Sequence, residues 1–112
     1  TVSWLFEGEI EHRDSAGVEA PVLPGEINLM SAGYGISHSE VSTPQTTRLH
    51  GVQLWLALPD RARNAPNGFQ HYAPPAVDLP DVRPGGPGGT ARVFIGELAG
   101  STSPIVTDCT RP

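Results

Sequence analysis

Turn signals recur at short intervals along the first third of this chain and limit how long any regular element can be. Asp14-Ser15-Ala16-Gly17 is a hairpin-turn sequence, because Asp bonds nearby backbone and Gly accepts positive φ. Pro24-Gly25 forms a second signal, and Gly33 and Gly35 mark a third. The segments between these signals are too short for ordinary helices, and 13 glycines and 12 prolines in 112 residues favour a turn-rich β fold.

Apolar and polar residues alternate between the turns, as they do in strands. The strongest predicted strand is Leu49 to Leu58. Its alternate residues from Val52 onward are apolar, and Trp55 and Ala57 make the other face partly apolar as well. We therefore expect this strand to be buried on both faces. The other predicted strands are Thr1 to Glu7, Glu9 to Arg13, Val18 to Leu23, Ile27 to Met30, Ile36 to Val41, Phe69 to Tyr72 and Arg92 to Leu98, with one helical turn at Asp60 to Asn64. Residues 73–90 are rich in Pro and Gly and predict a loop.

Charge and hydropathy exclude several classes of function. The net charge is −5, and the seven basic residues, all arginines, are scattered, so we expect no direct binding to nucleic acid. The chain contains no apolar run long enough to cross a bilayer and no signal-peptide pattern, so we expect no membrane contact and a cytoplasmic location. The one cysteine, Cys109, is expected to be a free thiol on a tail.

The segment from Gly33 to Glu40 carries the candidate chemistry. Side chains alternate faces along a strand, so His38 and Glu40 point the same way. A histidine and a carboxylate on one face form half of a mononuclear metal site of the non-haem iron kind. The same spacing also occurs in solvated polar pairs, so the motif alone leaves both interpretations open.

The remaining histidines have more ordinary interpretations. His12 lies beside a hairpin turn and is expected to be structural, with metal ligation as the alternative. His50 is expected to be a buried, hydrogen-bonded residue, or otherwise a substitute ligand or a support for one. His71 is expected to be solvated. Gln53 is expected either to face a cavity and orient a ligand or to satisfy a backbone group, and Trp4 and Trp55 to form core or cavity wall.

Four ordered blocks of the sequence carry a family resemblance. The blocks are Phe6 to Ser15, Pro24 to Glu26, Ala32 to Glu40 and Leu49 to Pro59. Through these blocks, residues 1 to about 70 closely resemble the amino-terminal cupin domain of pirins, and residues 91–97 look like the strand that leads toward the second cupin domain. The resemblance implies an all-β fold: a cupin or jelly-roll-type barrel, partial or truncated here, with a long Pro/Gly-rich loop.

The resemblance also implies a metal site. Pirins hold iron with three histidines and one glutamate, and His38 and Glu40 match the His-x-Glu half. The matching His-x-His half would precede Thr1, so we expect iron binding by this chain to be weak or absent. The implied chemistry is similar to that of quercetin 2,3-dioxygenase, with a flavonol or other small aromatic substrate and with Glu40 as ligand and base; whether this chain is itself an enzyme stays open.

Two other functions remain open beside this one. Some pirins act as transcription co-regulators by contacting proteins, so the chain would be a protein-interaction module; a fragment without independent activity is the third possibility. We expect a partial barrel core over 1–73, a loop over 74–90, and a final strand and tail over 91–112. Exposed strand edges in such a barrel predict homo-oligomers.

Overall fold

The computed structural model describes residues 1–81, 84–86 and 88–108, and these residues form strands and loops without a helix. The described chain therefore contains no helix that could span a membrane. Cys109 and its predicted free thiol lie outside the described residues. The strands are β1 (Val2–Glu7), β2 (Ile10–Asp14), β3 (Glu19–Val22), β4 (Ile27–Ser31), β5 (His38–Ser42), β6 (His50–Leu54), β7 (Gly68–Tyr72), β8 (Ala76–Leu79), β9 (Gly89–Arg92), β10 (Glu97–Leu98) and β11 (Ser101–Thr102).

Two antiparallel sheets form the main part of the fold. The larger sheet has the strand order β6-β1-β4-β7, and the smaller has the order β3-β2-β5. Two-stranded pairs, β8-β9 and β10-β11, follow along the chain. The all-β prediction is confirmed, and the hairpin between β2 and β3 forms at the predicted turn, where Gly17 has a φ of 90°.

The hydrophobic core lies against one face of the larger sheet. Val2, Trp4, Ile27 and Leu29 alternate on β1 and β4 and pack with Ile105, so the segment after β9 covers this outer face. Trp4 also stacks on Phe94, with ring centroids 5.1 Å apart. The alternation predicted for Thr1 to Glu7 therefore buries Val2 and Trp4 as expected, whereas Phe6 is exposed.

The inner face of the larger sheet turns toward the smaller sheet and is more polar. Gln53, Ser3, Asn28 and His71 are successive cross-strand partners, so their side chains share one face. Asn28 crosses to the smaller sheet by donating a hydrogen bond of 2.8 Å to the carbonyl oxygen of Pro21. Next to this row, Leu5 packs with Ile10 and Val22 in a second apolar cluster that joins the two sheets.

The prediction of a strand buried on both faces at Leu49 to Leu58 is wrong in extent and in burial. Strand β6 covers only His50–Leu54 and forms an edge of the larger sheet, and every residue of it is exposed. Trp55 is 85% exposed. Apolar alternation indicates which side chains prefer burial, but an edge strand has a neighbour on one side only and is buried only where other segments pack on its faces.

Two other segments differ from the sequence-based prediction. Strands β8 and β9 form a pair within and just beyond the predicted loop. The prolines at positions 74, 75 and 80 lie outside Ala76–Leu79, so the backbone N–H groups of β8 remain available for pairing. The predicted strand Arg92 to Leu98 is interrupted, since Phe94 and Ile95 pack against the core of the larger sheet. The division into three ranges at residues 73 and 90 stays a prediction.

Candidate metal centre

Strands β2 and β5 bring four polar side chains into one patch between the two sheets. In the β2-β5 ladder His12 is the direct partner of Glu40, and Asp14 is the direct partner of His38. Direct partners in an antiparallel pair project from the same face of a sheet, and so do alternate residues of one strand. The register therefore places two imidazoles and two carboxylates together, from segments more than twenty residues apart.

Three of these side chains form a group with the composition of a metal site. His12, His38 and Glu40 each offer one ligand atom, and the three atoms lie within 4.8 Å of one another. Nδ1 of His12 and Oε1 of Glu40 are 3.5 Å apart. Two donors bound to the same ion at about 2.0–2.2 Å each lie about 3–4 Å apart. The donors that are present therefore fit a divalent metal ion, with a small adjustment of the exposed His38 side chain.

The orientation of the His12 ring is set by its buried neighbour, the side chain of Asp14. His12 is 1% exposed, and its Nε2 lies 3.2 Å from Oδ2 of Asp14. A carboxylate accepts hydrogen bonds, so this contact favours a proton on Nε2, and Nδ1, on the Glu40 side of the ring, is then the nitrogen that can bind a metal ion. A carboxylate that holds the far N–H of a histidine is the usual support of a metal ligand.

Asp14 is held as an anion by the hairpin turn that it begins. Its Oδ1 accepts backbone N–H hydrogen bonds from Ala16 and Val18, at 2.9 and 3.0 Å. Desolvation acts to raise the pKa of Asp14, but the hydrogen bonds from Val18, His12 and Ala16 outweigh it, and the pKa is lowered from its ordinary value. The negative charge next to His12 is thus retained at neutral pH.

Glu40 is bound from the other sheet. Nε2 of Gln53, on β6, donates a hydrogen bond of 2.7 Å to Oε2 of Glu40. The hydroxyl of Ser3, on β1, donates to Oε1 at 3.3 Å. The ring of His12 lies against Phe69 of β7, with centroids 5.0 Å apart. Both sheets therefore shape the group, in which His12 is buried, Glu40 is half-buried and His38 is exposed.

The loop before β5 is fixed by close backbone contacts. Gly33 has a φ of 51°, and a Cβ there would collide with the carbonyl oxygen of Ala65. Asn67 donates to the carbonyl oxygens of Ala32 and Gly35 at 2.6 and 2.8 Å. The predicted need for glycine in this segment is confirmed at Gly33 and at Gly35, whose φ is 136°. This loop determines where β5, and with it His38, begins.

A largely apolar cavity opens beside the donor group. Its volume is about 390 Å³, and its lining includes His38 together with Leu29, Met30, Ile36 and Trp55. Small-molecule sites commonly have volumes of about 300–1,000 Å³ and combine apolar walls with few polar groups. Because His38 belongs both to the donor group and to the cavity wall, a molecule in the cavity would lie next to a bound ion.

The structure brings together the predicted pair and adds residues to it. His38 and Glu40 lie in one group, but their role as ligands stays a prediction. His12, for which a structural role was expected, lies in the same group, and Gln53 donates a hydrogen bond to Glu40. That Gln53 orients a ligand stays a prediction. His12 and Asp14 in β2 have the same spacing as His38 and Glu40 in β5. This repeated spacing is the sequence signal that could have pointed to His12.

The two remaining histidines lie outside this group. The prediction of a buried His50 is wrong, since His50 is exposed at the edge strand, with its ring 5.0 Å from that of Phe6. His71 is exposed as expected, but its Nδ1 also lies 2.7 Å from Oδ1 of Asn28.

Comparisons with known proteins agree on the family and the fold. The family model of pirins matches residues 1–56. A pirin-like protein of Caulobacter vibrioides is 42% identical over 108 residues, which are 94% of this chain and 36% of that protein. Quercetin 2,3-dioxygenase of Escherichia coli is 46% identical over 55 residues, 49% of this chain and 24% of the relative. The crystal structure of a quercetin 2,3-dioxygenase from Acinetobacter baumannii aligns with a TM-score of 0.83 and 39% identity over 95% of this chain and 33% of that one.

The chain thus spans about a third or less of the length of these relatives. Within that part, the structural alignment supports the predicted cupin-type jelly roll as the fold.

Proposed function

Since the chain belongs to the pirin family, we propose that it forms the metal-binding part of a dioxygenase of the quercetin 2,3-dioxygenase type, with iron as the metal and His38 and Glu40 among its ligands. The observation that carries this proposal is the group of His12, His38 and Glu40, whose ligand atoms lie within 4.8 Å of one another between the sheets. Two imidazoles and one carboxylate are the donor set that non-haem iron oxygenases use.

The residues of this chain have separate roles in the proposal. When bound, iron supplies a Lewis acid and a redox centre for chemistry with dioxygen. Asp14 keeps His12 in the tautomer whose Nδ1 is free to bind. Glu40 contributes a carboxylate oxygen and also acts as the base that accepts the proton of a phenolic hydroxyl group. Gln53 and Ser3 hold that carboxylate in place.

The cavity beside His38 is the proposed substrate site. Its walls are largely apolar, and Trp55 offers an aromatic surface against which a planar ring can pack. A flavonol is the proposed substrate class, supported by relatives that are named quercetin 2,3-dioxygenases. His38 belongs to both the cavity wall and the donor group, so a substrate in the cavity would lie next to the bound ion.

Metal binding is the first test. We expect an anaerobic Fe(II) titration of the purified chain to reach near one ion per chain, and we expect His38→Ala and Glu40→Ala each to lose this binding. His50→Ala is the matched control, because His50 is exposed and lies outside the donor group. The same titration tests the expectation, drawn from the sequence, that iron binding is weak.

The outcome distinguishes three cases. Stoichiometric binding that survives in His50→Ala and is lost in the two site variants supports the proposal, and consumption of a flavonol by the loaded protein under oxygen is then expected. Binding that is equal in all variants would place the ion elsewhere. Absence of binding in the wild-type chain would refute the proposed metal site for this chain.

A second candidate function is protein interaction, as in a transcription co-regulator. The observation in its favour is an exposed apolar strip along β6 and the residues on either side of it, in which Leu49, Val52, Leu54 and Trp55 are each more than 40% exposed. Contiguous apolar surface of this kind commonly marks an interaction site. A second copy of the chain would cover the same strip, so dimers are expected by light scattering at tens of micromolar. A monodisperse monomer that Leu54→Lys leaves unchanged would contradict self-association.

A further inference from the structure

The side-chain amide of Gln53 reaches from the edge strand of the larger sheet to the donor group on the smaller one. We propose that Gln53 positions the carboxylate of Glu40, so that Oε1 and not Oε2 is presented to the metal ion. This inference rests on the proposed function, because it concerns how a ligand of the proposed site is oriented. It adds a positioning residue from a strand that contributes no ligand.

Both amide hydrogens of Gln53 have acceptors in the site. One lies toward Oε2 of Glu40 at 2.7 Å, and the other toward Oγ of Ser3 at 3.3 Å. An amide nitrogen has two hydrogens to donate, so these two contacts use both of them. Ser3 accepts from Gln53 and donates its own hydrogen to Oε1 of Glu40. The three side chains therefore form a closed ring of hydrogen bonds in which Gln53 donates twice, Ser3 accepts once and donates once, and Glu40 accepts twice.

This ring of hydrogen bonds determines which carboxylate oxygen is available. Oε2 accepts the shorter hydrogen bond, from Gln53. Hydrogen bonds of this length to a charged acceptor are stronger than those between neutral groups. Oε1 has the longer bond to Ser3 and lies 3.5 Å from Nδ1 of His12. A carboxylate free to rotate would offer either oxygen or both, whereas the one held by Gln53 offers Oε1 toward the imidazole.

The position of Gln53 depends on sheet pairing rather than on the site motif. Gln53 is the direct partner of Ser3 in the β1-β6 ladder, so both side chains project from the inner face toward Glu40. A side chain on β6 and one on β5 thus meet across the space between the sheets. Partners that orient a ligand commonly change metal affinity by about 10- to 100-fold when they are removed.

The test is a titration with Co(II) alone, which reports the ligand environment through its visible absorption. Gln53→Leu keeps the approximate volume and removes both donors, and leucine is compatible with an exposed edge strand. Gln45→Leu is the matched control, since Gln45 is an exposed glutamine in the loop after β5. For Gln53→Leu we expect affinity about 10- to 100-fold weaker and a changed spectrum at saturation. The control is expected to match the wild type in both.

The spectrum at saturation separates positioning from a general loss of structure. A variant that is only less stable would bind less metal but show the wild-type spectrum once it is saturated, and that result would overturn the inference. Wild-type affinity and spectrum in Gln53→Leu would also overturn it, while the proposed metal site would stand. If the wild-type chain binds no metal, the proposed function fails, and the inference fails with it. Circular dichroism of each variant shows that the comparison is made on folded chains.

Discussion

The two faces of the larger sheet use the same four strands for different purposes. On the outer face, Val2, Trp4, Ile27 and Leu29 are buried against the segment after β9, and the contacts are almost entirely apolar. On the inner face, the row of Gln53, Ser3, Asn28 and His71 makes directed hydrogen bonds. Three of its bonds reach the smaller sheet, one to Pro21 and two to Glu40. Apolar contacts tolerate small displacements, whereas hydrogen bonds fix particular atoms. The comparison indicates that the outer face supplies stability and that the polar row of the inner face supplies position.

The largest effect is expected on the outer face. Trp4→Ala removes a ring that is 8% exposed and stacked on Phe94, so we expect the free energy of unfolding to fall by about 3–5 kcal/mol. Urea denaturation measures this change. Trp55→Ala is the matched control, because Trp55 is 85% exposed, and a change within about 0.5 kcal/mol is expected there. Equal decreases in the free energy of unfolding of the two variants would contradict the expected difference between the buried and the exposed tryptophan.

A substitution at His12 tests position rather than stability. His12→Phe keeps an aromatic ring against Phe69 but removes the nitrogen that faces Glu40, so metal affinity is expected to fall by about tenfold or more. A metal titration beside a denaturation curve separates the two properties. Wild-type affinity in this variant would mean that His12 is structural, as its sequence context alone predicted.

Asn28 is the residue on which the inner face can be tested for stability. Asn28→Ala removes the bonds to Pro21 and His71, and we expect a loss of about 1–2 kcal/mol because each buried hydrogen bond contributes modestly. Thermal and urea unfolding give the value. A loss as large as that of Trp4→Ala would show that the inner face supplies as much stability as the outer one.

The smallest effect concerns acid. The pKa of Asp14 is lowered in the folded chain, so its contribution to stability is full above the unfolded pKa of about 3.9 and is lost as the pH falls through the lower folded value. Asp14→Asn removes this acid-dependent contribution. Unfolding curves at several pH values below about 5 should therefore converge for the variant and the wild type as the pH falls. Curves that stay parallel would contradict the assignment.

Local patterns predicted the parts of the fold that depend on neighbouring residues. The hairpin at Asp14 to Gly17, the short strands on either side of it and the glycine-dependent loop before β5 all follow from turn chemistry and alternation. The shared direction of His38 and Glu40 follows from strand periodicity. Strand β6 shows the limit of such patterns, since its alternation predicted burial and the strand is an exposed edge.

By itself, the sequence determined an all-β chain of the pirin family with a His-x-Glu pair on one face of a strand. Only the tertiary structure decided that His12 and Gln53 join that pair. Their positions depend on the register of β2 against β5 and of β1 against β6, that is, on pairings between distant segments. A period of two residues specifies the face of each side chain, but it carries no information about which strand lies opposite. Long-range pairing therefore assembled the candidate site from residues whose local sequence marked them as ordinary.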